Sequence, residues 1–470
     1  MAQPNISNLS NILDLLQPLI AKVQSLDAVK EADPNKIPQS VDEIEELGRL
    51  RGRPLIYPMI PSGKGSGPFV EMIDGSVKYD MINGIGVFLF GHGHPELLLS
   101  GVKAALKATT MQGTLMPGRE YATLSRLLLK HGSTVEHLGV EAQAKLSGCW
   151  LSTCGTMANE LALKIIRQKK APAYKLISFK NAFAGRSTAM QELTDEPKYR
   201  EGQPTFNQFS HIDFFNDKIN IAENIEKTKS QIDGLLNKEP VQYCGLGFEP
   251  IQGEGGAFRG APREWWVAIL SHARSRNLAI WFDEVQTFGR TGELFAYQRL
   301  GLGEFVDVVS LAKPLHAGAV MWTEPFAPKP GLIAGTFGGS TVNLSLGIKV
   351  LEMLVQGKYF GAEGKIQKLE SFIKEDWDRR RARLEEKFNL GRANIYGGMV
   401  AFEILDGRAE TLKKFLDRLF DNGVIAFSAG RDPVMLRMLP PIGVMNEDHW
   451  VNVMNIVEKT LEEYLALPKT

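Results

Sequence analysis

The sequence predicts an α/β protein with a mostly parallel central sheet, helices on both faces, and a smaller α+β domain. Three observations carry this. From residue 95 onward, helical patterns of ten or more residues alternate with short apolar runs of strand length. Such alternation is the signature of strands joined by helical crossovers. Several of the apolar runs end abruptly in polar or small residues, where the ligand sites of open α/β sheets lie. Finally, 470 residues exceed what one simple core accommodates, so a second, smaller unit is expected.

The elements follow in order. Residues 6–26 place Leu9, Leu13, Leu16, Ile20 and Val23 at helical spacing, an amphipathic helix that packs on the body or on another subunit. A polar, proline-containing stretch covers 30–46. Runs at 69–73 and 77–81 read as a hairpin. Residues 95–109 read as a helix, and another begins near Met157 and continues over 161–169. Strands are predicted at 175–179, 243–250, 279–282 and 306–311, with a helix at 263–274 among them. The last segment carries a charged helix over 366–388, strands at 399–404 and 434–439, and a closing helix over 448–464. The expected division is an N-terminal helical extension over 1–45, part of the small domain over 46–94, a large domain over 95–350 and the rest of the small domain over 351–470.

Composition excludes several classes of function. Lys+Arg and Asp+Glu balance at 54 each, so no charge excess points to nucleic acid or an anionic membrane surface. Cys149, Cys154 and Cys244 have neither a disulfide framework's pairing nor a zinc site's spacing, and no metal site is expected. No apolar run approaches the ~18 residues of a membrane span, and the N-terminus lacks a signal peptide's basic start and apolar core. The reading is a cytoplasmic protein.

Four stretches carry candidate chemistry. Residues 278–287 form an apolar strand ending in Asp283 and Glu284. An acid there is either a buried carboxylate paired with a cation or a cap for the next helix. Residues 306–316 place Lys313 directly after a strand, either reaching to water or held for Schiff-base chemistry, which burial of the amine favours. Residues 152–160, Ser-Thr-Cys-Gly-Thr-Met-Ala-Asn-Glu, run small residues into a helix, either an ordinary helix start or an anion cradle. Residues 248–256 end a strand in Glu-Pro-Ile-Gln-Gly-Glu-Gly-Gly, without the lysine of a phosphate-binding P-loop. Taken together, an anion-binding helix start, a strand-end acid and a strand-end lysine suit an anionic, aldehyde-bearing pyridine cofactor.

At this point the sequence resembles the class III (ω-) aminotransferases, fold type I pyridoxal-phosphate enzymes. The likeness runs from about residue 63 to the C-terminus. Asp-Glu-Val-Gln-Thr (283–287) with Gly-Arg-Thr-Gly (289–292) resembles the family signature, and residues 249–256 resemble a second one. Gly-Thr-Phe-Gly-Gly (335–339) is similar to the segment that reaches a neighbouring active site. Phe183-Ala-Gly-Arg186 falls where the family carries an aromatic residue and then Gly-Arg.

The resemblance implies pyridoxal 5'-phosphate as cofactor, held by Lys313 through a Schiff base, with Lys313 also shuttling the proton. It implies that Asp283 pairs with the pyridine nitrogen, Gln286 bonds the ring hydroxyl and Phe183 stacks on the ring. Gly155 and Thr156 would hold the phosphate, joined by Thr336 of a second subunit, hence a homodimer with shared sites. Arg186 matches the arginine for the distal carboxylate of 2-oxoglutarate or glutamate. Arg437 matches that for the α-carboxylate, and Glu254 the acid that masks it when an ω-amino donor binds. The expected reaction moves an amino group from a diamino acid or ω-amino acid to 2-oxoglutarate, giving a semialdehyde and glutamate. The alternatives are a pyridoxal-phosphate aminomutase, which the Gln286 and Glu254 pattern does not fit, and an inactive regulatory or scaffold relative, against which stand Lys313, Asp283 and both arginines. The loop after Lys313 is short, as in the lysine 6- and 4-aminobutyrate branches. Ile85 stands where the ornithine branch has an aromatic residue.

Overall fold

Strands with uninterrupted apolar sequence are buried on both faces, and those of the large sheet obey this rule. Tyr243–Phe248, Ala279–Asp283, Val308–Leu311 and Lys175–Phe179 are buried at every position. The computed structural model describes residues 26–55 and 57–466, together with Pro18 and Ile20. The helix expected over 6–26 therefore lies, but for Pro18, Ile20 and Leu26, outside the described residues. Contacts divide the chain into two units. One comprises Met1–Lys103, Leu369–Ser428 and Asp432–Thr470; the other comprises Ala104–Lys368 and Ala429–Arg431.

The second unit holds a seven-stranded sheet. Numbering strands through the chain, β1 is Pro61–Ser66, β2 Phe69–Met72, β3 Val77–Asp80, β4 Leu146–Ser152 and β5 Lys175–Phe179. Then come β6 Phe209–Ile212, β7 Tyr243–Phe248, β8 Ala279–Asp283, β9 Val308–Leu311 and β10 Gly318–Thr323. The order is β4-β10-β9-β8-β7-β5-β6. Neighbours from β9 to β6 are parallel, whereas β10 is antiparallel to both β9 and β4. Two reversals restore the direction, so β4, β5, β7, β8 and β9 all end at the same edge of the sheet.

Helices cover both faces, and strand alternation assigns each side chain to one of them. Trp281 packs with Leu161, Ile165 and Ile166 of the helix Gly155–Lys170. Phe282, on the other face, packs at a tilt against Phe248, which in turn stacks on Trp266 of the helix Arg263–Ser275, with centroids 4.8 Å and 4.5 Å apart. Each such large apolar side chain contributes about 1.5–3 kcal/mol on burial, and this packing fixes the strand ends.

The first unit contains two four-stranded sheets. In one, β1, β2 and β3 form an antiparallel meander, and Val424–Ile425 (β13) adds parallel to β3. The predicted hairpin is thus present. The other has Ala393–Tyr396 (β11), Met399–Phe402 (β12), Phe427–Ala429 (β14) and Met435–Met438 (β15) in the order β11-β12-β15-β14. The polar stretch at 30–46 contains the start of a helix, Ile37–Leu50. Its proline lies in the first turn, where no intrahelical N–H is lost. Among the described residues no helix is long and apolar enough to cross a membrane.

The strand period also settles the choice left open at Asp283 and Glu284. Glu284 is fully buried and turns away from Asp283. It accepts the backbone N–H of Ala296 and of Tyr297, each at 2.9 Å, and the Thr287 hydroxyl, so it caps the short helix Ala296–Arg299. Replacing Glu284 with Ala strands these donors in a dry interior and is expected to cost about 3 kcal/mol of stability. A urea unfolding series checks this; an unchanged midpoint would show that the buried donors find other acceptors.

Candidate active site

The common strand edge gathers most of the predicted residues of the second unit. Past β4, Cys154 is extended (φ −161, ψ 173) and caps the helix Gly155–Lys170 without a side-chain hydrogen bond. The first-turn N–H groups of Gly155 and Thr156 carry the helix's partial positive charge, an arrangement that receives phosphate. Gly155 leaves no room for a side chain, since a β-carbon there would meet Val285 Cγ1 at 2.6 Å.

One turn along the same helix, Asn159 Nδ2 donates to Asp283 Oδ2 at 2.7 Å and to the Ala184 carbonyl at 2.8 Å. Asp283 Oδ1 accepts the Val285 N–H at 2.9 Å. Burial pushes the Asp283 carboxyl up to about 6, against the two hydrogen bonds and the charge of Lys313, which lower it. A buried carboxylate anchored in this way suits a cationic partner, and a protonated pyridine nitrogen is one.

Lys313 follows β9 through Ala312 and takes a left-handed conformation, φ +54, which a lysine rarely adopts. Its side chain is half-buried, and its charge acts on both Asp283 and Glu249. Glu249 ends β7 on the same sheet face as Asp283, by the register Phe248↔Phe282. It accepts the N–H of Phe183 at 2.9 Å and of Gly253 at 2.8 Å. Burial, then the Asp283 charge, pushes its carboxyl up to about 8. One side chain therefore ties the Phe183 segment to the loop 252–256. Gln286 is buried against the same loop; a β-carbon on Gly253 would meet Gln286 Cδ at 3.1 Å and Glu249 Oε1 at 3.0 Å.

The third cluster lies on loops. The Arg186 guanidinium rests over the Tyr199 ring, 3.7 Å from its centroid. The Tyr199 hydroxyl donates to Glu254 Oε1 at 2.7 Å, and its ring meets Phe183 edge-on, with centroids 6.4 Å apart. Burial and the Glu254 carboxylate push the phenol up to about 12, so it remains a donor at neutral pH. Two further predicted residues lie elsewhere. Arg437 is buried on β15 of the first unit, opposite Ala401 of β12. Thr336 is exposed, just before a turn whose Phe337 is 65% exposed.

Asn159, Glu249 and Tyr199 are absent from the sequence-derived site. Asn159 and Glu249 stand inside the motifs already quoted, and the strand period would have aligned Glu249 with Asp283. Tyr199 lies in an irregular polar loop that no periodicity marks. No group of three or more His, Cys, Asp or Glu side chains suited to a metal occurs among the described residues.

The family profile described as aminotransferase class III matches residues 55–461. The chain belongs to the class III aminotransferases. It is a pyridoxal-phosphate-dependent transaminase, and the helix start, aromatic Phe183, anchored Asp283 and strand-end Lys313 suit that cofactor's phosphate, ring, nitrogen and aldehyde. Among curated relatives, it is 29% identical to the acetylornithine aminotransferase of Methanocaldococcus jannaschii over 424 residues, 85% of this chain and 93% of that one. It is 27% identical to the diaminobutyrate–2-oxoglutarate aminotransferase of Rhizobium meliloti over 424 residues, 82% of this chain and 84% of that one. Among solved structures, the lysine aminotransferase of M. tuberculosis superposes with a TM-score of 0.77 at 21% identity, covering 90% of this chain and 99% of that one. The ornithine aminotransferase of Toxoplasma gondii gives 0.75 at 22% identity, covering 91% and 96%. These two likenesses establish the fold.

The buried acids predict a pH dependence. Glu249 has a folded value of about 8 against an ordinary 4.5, so between these values the folded protein binds more protons than the unfolded chain. Stability contributed by the protonated acid then falls as pH rises toward 8. Histidines whose values burial lowers, such as His316, act in the opposite sense, but only below 6.5. From pH 6.5 to 8 the apoprotein's melting temperature is therefore expected to fall, and Glu249→Gln to flatten most of the slope. A wild-type melting temperature rising across that interval would contradict the assignment.

Proposed function

We propose that this transaminase moves an amino group from an ω-amino donor, a diamino acid or ω-amino acid, to 2-oxoglutarate, yielding a semialdehyde and glutamate. The observation that carries the reading is Arg186, a cation held on an aromatic face next to Phe183. A guanidinium so placed binds a carboxylate bidentately, and 2-oxoglutarate carries one at the end remote from its keto group. The names of the relatives, acetylornithine and diaminobutyrate–2-oxoglutarate aminotransferases, support the same substrate class.

In this reading Arg437 takes the α-carboxylate, and Glu254 offsets that charge when a donor enters amine first; both roles rest on the family resemblance. When bound, pyridoxal phosphate supplies the electron sink for breaking the substrate's C–H bond. Asp283 keeps the ring nitrogen protonated, and Asn159 fixes the carboxylate that does so. Lys313 would hold the cofactor through its aldehyde, and its Nζ would carry the proton that leaves the substrate. Phe183 bears on the ring through a backbone held by Glu249, Gln286 meets the ring hydroxyl, and Gly155 and Thr156 receive the phosphate. Thr336 completes the phosphate site of a second subunit, so the working form is a homodimer.

Removing Lys313 by substitution with Ala is expected to lower turnover by roughly 10²–10⁴-fold or more, and borohydride reduction of the wild-type holoenzyme to label Lys313. A label on another lysine would end the assignment. Asp283→Asn is expected to keep the fold and lose most activity; near-wild-type turnover would place the cofactor elsewhere. Arg186→Ala is expected to weaken the 2-oxoglutarate half-reaction by about 2–5 kcal/mol and to affect a donor lacking a distal carboxylate much less. Stopped-flow measurement of each half-reaction decides it: equal slowing of both would make Arg186 structural.

A further inference from the structure

Arg186 and Glu254 are opposite charges served by a single ring. The cation sits on the face of Tyr199, 3.7 Å from its centroid, and the carboxylate accepts from its hydroxyl at 2.7 Å. Loop contacts hold this arrangement from both sides. The Glu254 carbonyl accepts the Gly430 N–H at 2.8 Å, and Arg431 reaches Glu196 at 3.4 Å and Asp195 at 3.7 Å, next to the turn that carries Tyr199. Two flexible charged side chains at such a mouth attract each other, and an Arg186 quenched by Glu254 could not grip a substrate carboxylate. A phenol deals with both at once. Its π face attracts the guanidinium, and its hydroxyl gives the carboxylate a charge-assisted donor.

We propose that Tyr199 is the residue that sets acceptor specificity, by seating Arg186 on its ring and restraining Glu254 with its hydroxyl so that the arginine stays open to the distal carboxylate of a dicarboxylic 2-oxo acid. The proposal rests on the reading of Arg186 given above. Tyr199 is a positioning residue and acts on substrate through its two neighbours.

Tyr199→Phe keeps the ring and removes the hydrogen bond to Glu254. The holoenzyme of this variant, preloaded by an amino donor, should show a KM for 2-oxoglutarate raised about tenfold, the worth of a hydrogen bond to a charged group. The maximal rate of the 2-oxoglutarate half-reaction should stay within about twofold, the pattern of lost binding and not of lost chemistry. With pyruvate, which has no distal carboxylate, KM should not change. Adding Tyr199→Phe to Glu254→Gln should leave the 2-oxoglutarate KM at that of Glu254→Gln alone, a rescue of the Tyr199→Phe defect, because a neutral amide cannot quench Arg186. An unchanged 2-oxoglutarate KM in Tyr199→Phe, an equal rise for pyruvate, or no rescue in the double variant would each overturn the proposal. Arg186→Ala separates the two levels. If it raises the 2-oxoglutarate KM while Tyr199→Phe does not, only the role of Tyr199 falls; if it has no effect, the underlying reading falls as well.

Discussion

The site depends on carboxylates buried at the ends of two adjacent parallel strands. Glu249 closes β7, and Asp283 and Glu284 close β8, each with almost no exposed surface. Leaving any of them unanswered would cost several kcal/mol. Glu284 is answered by its helix cap and Glu249 by two backbone donors, while Asp283 has an amide, an N–H and the charge of Lys313. The fold has thus satisfied two of the acids internally and leaves the third with a charge that a cationic ring can match. Because Asp283 is the last residue of β8 and Glu249 and Glu284 directly follow strand ends, the sheet fixes where all three begin.

The division of labour between Asp283 and Glu284 follows from the two-residue period of a strand. Adjacent residues point to opposite faces, so one acid meets the helix Gly155–Lys170 and the other meets Tyr297. The sequence alone left ligand and cap as alternatives for this acidic pair. Both roles exist, one for each residue.

What was legible in the sequence is what periodicity and strand-end chemistry encode. The buried strands, the helices at 155–170 and 263–275, the hairpin and the closing helix all stand within a few residues of their predicted spans. Other elements were passed over. The strand Gly318–Thr323 directly follows the short Lys313 turn and runs antiparallel to its neighbours, so it breaks the strand-helix rhythm on which the reading relied. The helix Ile37–Leu50 begins with a proline in a polar stretch, which a first turn tolerates but a pattern search reads as a breaker. Within the site, Asp283, Lys313 and the helix start were visible because each ends or begins a regular element. Tyr199 was not, because its partners Arg186 and Glu254 come from loops that meet only in three dimensions.

The same contrast explains why the reaction is easier to read than the substrate. The groups that suit the cofactor hang from strand and helix ends, whose geometry is fixed by the packing of Trp281, Phe282 and Trp266. Relatives at 27–29% identity retain such a scaffold and differ in the donors their names record. In the reading proposed here, substrate choice rests on loop side chains whose energies are single hydrogen bonds and cation–π contacts, each about 1–3 kcal/mol. A difference of that size shifts preference between two acceptors by ten- to hundredfold without disturbing the core. A loop tyrosine can therefore decide what this transaminase prefers while leaving no mark in the pattern that reveals what it is.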